Sequence, residues 1–67
     1  MRDLLDLLIE TQGIDSDRVF ANRLGIPRST WQMTRTEKRK IGAVVLLGTL
    51  QHLPEVYRQS YYYGRVN

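Results

Sequence analysis

The sequence has no cysteine and only one histidine in 67 residues. Without cysteine the chain forms no disulfide and offers zinc no thiolate, and His52 alone leaves few other metal ligands. The longest mostly apolar run, residues 41–50, is about half as long as a membrane span. Near the N-terminus, Asp3 and Asp6 interrupt what would be a signal sequence. These features argue against a secreted disulfide scaffold, a thiolate zinc finger and a membrane protein.

Recognisable catalytic patterns are also missing. The sequence contains no His/Cys nucleophile pair, no cluster of metal ligands and no glycine-rich phosphate loop. The acidic residues Asp3, Asp6 and Glu10 are interpreted as a solvated helix face rather than a catalytic pair. We therefore expect no enzyme activity, no cofactor and no small-molecule ligand. The expectation is a single small cytoplasmic domain that folds on apolar packing alone, a class that buries only about 60% of its unfolded surface.

The positive charge is concentrated in the middle third of the chain. The formal net charge is +3 overall, but it is −4 over residues 1–17, +6 over residues 18–40 and +1 over residues 41–67. A basic block of this kind raises the local concentration of an anionic partner. The alternative is a solvated basic face that has no partner.

Apolar residues recur at helical spacing and predict an all-α fold of four to five short helices. Gly13 and Gly25 are expected to end the first two helices in the left-handed conformation, and Ser16 is expected to cap the second. Pro27 suits the first turn of the third helix. The predicted helices span residues 2–12, 17–24, 28–36, 42–52 and, as a short fifth element, 55–60.

The fourth helix and the C-terminal tail carry two further predictions. The inward stripe of the fourth helix is predicted to contain Ala43, Leu46, Leu47 and Leu50, with Val44 and Val45 alongside. Residues 60–67, SYYYGRVN, have the composition of a strand or an extended tail.

A tight turn joins the second and third helices and is typical of a helix-turn-helix. Ala21 is small enough to lie where the two helices cross, and Gly25 adopts a positive φ without strain. Ile26 is expected to fill the core beneath the turn. The helix after such a turn stands out from the body of the domain, where it fits a DNA major groove.

With this turn the chain resembles the Cro/repressor-type helix-turn-helix family (Xre-like, lambda-repressor-like). The resemblance rests on residues 16–31, SDRVFANRLGIPRSTW, followed by a basic connector and a helix ending in LPE. It covers residues 3–56 and predicts a DNA-binding domain over residues 1–56, with the helix-turn-helix at about 17–36 and a tail at 57–67. Three positions depart from the family. Asp17 replaces a Gln that often touches a phosphate, Thr34 replaces an apolar residue, and Arg35-Thr36-Glu37 replaces Glu-x-Gly.

The resemblance implies that the third helix reads DNA bases while neighbouring residues contact the backbone. The implied base contacts are Arg28, Ser29, Gln32, Met33 and Thr36. The implied backbone contacts are Arg18, Arg23, Thr30, Arg35, Lys38, Arg39 and Lys40. The residues that would hold the motif together are Ala21, Gly25, Ile26 and Trp31.

Several of these residues also have a structural interpretation. Trp31 is favoured as a core residue over a base-stacking one. Met33 is either a contact to a thymine methyl or simply exposed, and the Lys38–Lys40 run is either a backbone contact or a solvated loop. His52 is interpreted as a helix-end residue that the helix dipole favours.

The tyrosine-rich tail predicts a homodimer contact. Exposed tyrosines are favoured at protein interfaces, and the predicted contact residues are Val56, Tyr57, Tyr61 and Tyr63. The alternative is a segment folded back over its own core.

Two functions compete on these grounds. The first is a sequence-specific regulator that binds double-stranded DNA as a homodimer on an inverted-repeat operator. It would be a repressor of the phage or mobile-element type, associated with the nucleoid. The second is a protein-interaction module on the same fold, of the antitoxin or anti-repressor type.

Overall fold

The structure is a computed structural model that describes residues 3–37 and 41–60, and these residues form an all-α fold. Five helices follow one another along the chain, and no β-strand lies in the described ranges. They are α1 (Leu4–Gln12), α2 (Asp17–Leu24), α3 (Arg28–Glu37), α4 (Ala43–His52) and α5 (Pro54–Arg58). The predicted fold class is confirmed. The strand or extended tail predicted for the C-terminus falls almost entirely on residues 61–67, outside the described residues.

Most helix boundaries agree with the prediction within one or two residues. The helix α2 has the predicted bounds, α3 continues one residue further to Glu37, and α4 begins one residue later, at Ala43. The short α5 begins at Pro54, where proline suits the first turn, and ends at Arg58 rather than at residue 60.

Side chains and glycines close the first two helices. The Asp3 carboxylate accepts a hydrogen bond from the Leu5 amide at 2.8 Å, and the Ser16 hydroxyl accepts one from the Val19 amide at 3.2 Å, as predicted for Ser16. Gly13 has a positive φ of 57°, but its ψ of −120° lies outside the left-handed helical region that was predicted.

The turn between α2 and α3 has the predicted conformation. Gly25 is in the left-handed region, with φ 69° and ψ 31°. The Ile26 amide donates to the Ala21 carbonyl at 3.0 Å, and the Gly25 amide donates to the Asn22 carbonyl at 3.1 Å. This pair of hydrogen bonds is a Schellman motif, which satisfies the last carbonyls of α2 and turns the chain into α3.

Residues of all five helices form the core, in which α2 packs against α3 and α4, and α5 packs against α1 and α4. Its largest fully buried side chains include Trp31 and Phe20, whose ring centroids are 4.8 Å apart at an interplanar angle of 57°. Ala21 and Ile26 are also buried. The core role favoured for Trp31 is therefore confirmed.

The predicted inward face of α4 is wrong. Its buried residues are Val45, Gly48 and Thr49, whereas Leu47 and Leu50 are 54% and 47% exposed. Ala43 is exposed, Leu46 is only half-buried and Val44 is also exposed. The reason is the small size of Gly48 and Thr49, which lets the backbone of α4 approach its neighbours and turns the larger side chains outward.

At Gly48, α4 lies directly against the turn between α2 and α3. A Cβ atom placed on Gly48 would lie 2.5 Å from the Leu24 carbonyl oxygen and 3.0 Å from the Ile26 Cγ2 atom. No residue with a side chain fits this position without a shift of the backbone. The backbone of α4 at Gly48 therefore packs directly against the turn between α2 and α3.

The structure also corrects part of the predicted dimer contact. Tyr57 is only 4% exposed and belongs to the core of its own chain. This position therefore agrees with the alternative prediction, in which the segment folds back over its own core. Val56 is half-buried and packs against the same core. Tyr61 and Tyr63 lie outside the described residues.

Candidate nucleic-acid interface

The outward face of α3 presents the five residues predicted to contact bases. Their spacing places them on one side of the helix, because residues three, four and eight apart share a helical face. The buried Trp31 occupies the opposite side. All five side chains are exposed, and four of them, together with Glu37, line a shallow depression of about 280 Å³. The five are Arg28, Ser29, Gln32, Met33 and Thr36.

This face has the chemistry of a base-reading surface. Arg28 offers a fork of donors, while Gln32 and the two hydroxyl residues offer both donors and acceptors. Met33 is 59% exposed and supplies the apolar contact that a thymine methyl needs.

Six of the seven predicted backbone contacts fall into three groups. Arg18 is exposed and Thr30 is half-buried. Arg23 is exposed, lies 3.5 Å from the Asp15 carboxylate and has its guanidinium carbon 5.6 Å from the centroid of the Phe20 ring. The residues Lys38, Arg39 and Lys40 lie outside the described residues.

The seventh predicted backbone contact, Arg35, pairs with Asp17. Its Nε and NH2 atoms donate to the two carboxylate oxygens of Asp17 at 3.0 and 2.8 Å. The Arg35 hydrogen bonds, with a second contribution from the Gln12 hydrogen bond, hold the pKa of Asp17 below its ordinary value of 3.8. The same carboxylate raises the pKa of Arg35. The two side chains therefore link the start of α2 to the last turns of α3.

A buried glutamine completes this link. Gln12, at the end of α1, donates from Nε2 to the Asp15 carbonyl and to the Asp17 carboxylate, each at 2.9 Å. Its Oε1 atom accepts the indole N–H of Trp31 at 3.2 Å. We call Gln12, Asp17, Trp31 and Arg35 the polar network. It joins three helices, and it fixes α3 by directional bonds as well as by packing.

Sequence reasoning did not identify Gln12, and it noted Asp17 only as an acidic residue in the first turn of the second helix and as a departure from the family. The one available signal was the acidic residue at 17 together with an arginine at 35, but their separation of 18 residues gives no local pattern. Thr34, the other unusual residue, is half-buried and donates its hydroxyl to the Thr30 carbonyl at 2.8 Å. This bond satisfies the hydrogen-bonding capacity of the Thr34 hydroxyl, at a position where an apolar side chain was expected.

Over residues 3–37 and 41–60, no three acidic or histidine side chains come together as ligands for a metal ion. None of the helices in these ranges is long and apolar enough to cross a membrane.

Comparison of the chain with protein-family models, with curated proteins and with solved structures finds no match.

Proposed function

We propose that the protein is a sequence-specific regulator that binds double-stranded DNA through α3. The observation that carries this proposal is the outward face of α3, where five exposed side chains suited to base contacts lie opposite a tryptophan buried in the core. To insert into a groove, a helix must be anchored to the core on one side and expose polar side chains on the other. The simplest mode of action is repression by occupancy of an operator, as in small regulators of phages and mobile elements.

The dimensions and the side chains of α3 suit the major groove. An α-helix with its side chains is about 10–12 Å wide, and the major groove is about 12 Å wide. Arg28 and Gln32 lie one turn apart on the outward face. Arginine bonds guanine and glutamine bonds adenine in a bidentate manner, and each such pair discriminates against a wrong base by about 1–3 kcal/mol.

Basic residues beside this face would hold the phosphates. Arg18 and Arg23 are exposed on α2, next to α3, and the KRK run of residues 38–40 follows α3 directly in the sequence. Contacts of this kind position a protein on DNA without reading its sequence. Binding should therefore weaken steeply as salt is added.

We further propose that the protein acts as a homodimer whose contact lies on the outward face of α4. Val44, Leu47 and Leu50 are each about half-exposed there, and α4 contains no Asp, Glu, Lys or Arg. The three side chains are spaced evenly about Leu47. A second copy crossing antiparallel on a two-fold axis therefore places Leu47 against its equivalent, and Val44 against Leu50. A neutral, self-complementary face fits another copy of the chain better than it fits DNA.

The test of DNA binding is selection of sites from a randomised duplex library at about 150 mM salt. We expect enrichment of an inverted repeat. Arg28→Ala and Gln32→Ala should relax the preference at defined base pairs, each by about 1–3 kcal/mol. Lys38→Ala should weaken all sequences alike and reduce the salt slope by about one. Arg58→Ala, at an exposed position of α5, removes the same charge elsewhere and is the control.

Two outcomes would contradict the proposal. Unchanged base preference in both the Arg28 and Gln32 variants would exclude α3 as the reading element. A folded protein that enriches no sequence would favour the competing function, a protein-interaction module, for which the exposed apolar face of α4 supplies the observation.

The dimer contact has its own test. Leu47→Glu should convert a dimer into a monomer in sedimentation equilibrium. Ile14→Glu is the control, because Ile14 is fully exposed between α1 and α2. A monomeric unaltered chain, or a dimer that tolerates Leu47→Glu, would exclude α4 as the contact.

A further inference from the structure

The polar network lies at the edge of the proposed DNA-binding face. Arg35 follows Arg28 by seven residues, which is two turns of helix, so both project from nearly the same line along α3. Arg28 is exposed, whereas the Arg35 guanidinium is turned back toward Asp17. Two arginines on one line of the helix thus have different surroundings.

The Asp17–Arg35 pair is well formed, and it is open to solvent on one side. Both of its hydrogen bonds are 3.0 Å or shorter, and the side chains of Arg35 and Asp17 keep 39% and 17% of their exposure. A depression of about 400 Å³ beside the pair is lined by Asp15, Ser16, Asp17 and Arg35 among others. A phosphate group therefore has room to approach the pair, but it would meet two carboxylates there.

From this arrangement we infer that Asp17 lowers the sequence-independent affinity for DNA by holding Arg35 away from the phosphate backbone. The carboxylate acts in two ways, since it binds two of the five N–H donors of the guanidinium and adds a negative charge where the backbone would pass. This inference rests on the proposed function.

The Gln12 hydrogen bond makes the arrangement independent of the DNA. Its Nε2 atom donates to the same Asp17 oxygen that receives the Arg35 Nε–H. The carboxylate is thus fixed from the α1 side before any partner arrives. For Arg35 to reach a phosphate, it would have to leave a charge-assisted, bidentate pair for a single contact in water, which is unfavourable.

The experiment compares Asp17→Asn with the unaltered chain on an operator duplex and on a random duplex. Asparagine keeps an oxygen for the Gln12 hydrogen bond but loses the charge that holds Arg35. We expect binding to both duplexes to tighten by about two- to tenfold at constant salt, and the salt slope to steepen by about one. Glu55→Gln, at an exposed position of α5, makes the same change of net charge away from α2 and α3 and should leave the slope unchanged.

A second variant separates the role of Arg35 from the loss of a negative charge. In an Arg35→Gln background, Asp17→Asn should leave the salt slope unchanged, because no guanidinium remains to be released. Circular dichroism on every variant verifies that it is folded.

The outcomes are distinct. An Asp17→Asn chain that is folded and binds with unchanged or weaker affinity, while the unaltered chain binds DNA, overturns the inference and leaves the proposed function standing. In that case Asp17 would orient Arg35 toward the phosphate or serve only the fold. Failure of both chains to bind any duplex at low salt overturns the proposed function and the inference together.

Discussion

Replacing Gly48 by alanine tests how closely α4 supports the turn between α2 and α3. The added Cβ would lie 2.5 Å from the Leu24 carbonyl oxygen and 3.0 Å from the Ile26 side chain. The nearest atom belongs to the backbone, so the contact is relieved only if α4 moves away from the turn. Overpacking of this kind costs about 1–3 kcal/mol, and the higher helix propensity of alanine offsets about 1 kcal/mol of it.

We therefore expect Gly48→Ala to lower the free energy of unfolding by up to about 2 kcal/mol. In a domain of this size, that corresponds to a fall in Tm of up to about 16 °C. The measurement is thermal and urea unfolding followed by circular dichroism. Gly42→Ala is the matched control, because Gly42 has an ordinary φ of −77° and nothing lies within 4 Å of its added Cβ. A Gly48→Ala chain that is more stable than the unaltered chain, as the helix propensity of alanine alone would make it, would refute the close approach of α4.

Three further predictions concern the polar network and the turn. Gln12→Leu should destabilise the fold by about 1–3 kcal/mol in urea, since the buried indole N–H of Trp31 loses its acceptor; an unchanged midpoint would contradict this. Asp17, whose pKa is lowered in the folded state, contributes stability above pH about 4 that is lost as the pH falls through the folded pKa. The unaltered chain should therefore exceed Asp17→Asn in free energy of unfolding by less at low pH than at neutral pH. A difference that grows on acidification would contradict the lowered pKa of Asp17. Gly25→Ala should cost about 1–2 kcal/mol because of its positive φ, and His52→Ala, which removes the ring 2.7 Å from the new Cβ, should restore stability only in part.

The helices and the turn could be predicted from the sequence because their determinants are local. Gly25 and Ser16 act within a few residues of their own positions, and each has the conformation or the hydrogen bond expected of it. The outward face of α3 could be predicted for a similar reason. One large apolar residue, Trp31, sets which side of a mostly polar helix faces inward.

The inward face of α4 could not be predicted in the same way. The segment AVVLLGTL is apolar nearly all round, so its periodicity does not distinguish one face from another. Burial follows instead from where the backbone approaches its neighbours, and that depends on Gly48 and Thr49. The partner of Gly48 is the turn at Leu24, which is distant in sequence and has no pattern that points to α4.

The polar network escaped prediction because its members lie far apart in the chain. Each has an ordinary local interpretation: Gln12 as a helix end, Asp17 as a first-turn acid, and Arg35 as a solvated base. Their shared role appears only when α1, α2 and α3 are packed together.

The hydrogen bonds of Gln12 also constrain which substitutions this part of the chain can accept during evolution. Because it donates at one end and accepts at the other, it requires an acceptor at position 17 and a donor at position 31. A carboxylate at 12 would face Asp17 with like charge, and loss of the indole would leave an unpaired oxygen in the core. In descendants of this chain, replacements at positions 12, 17, 31 and 35 should therefore be correlated with one another.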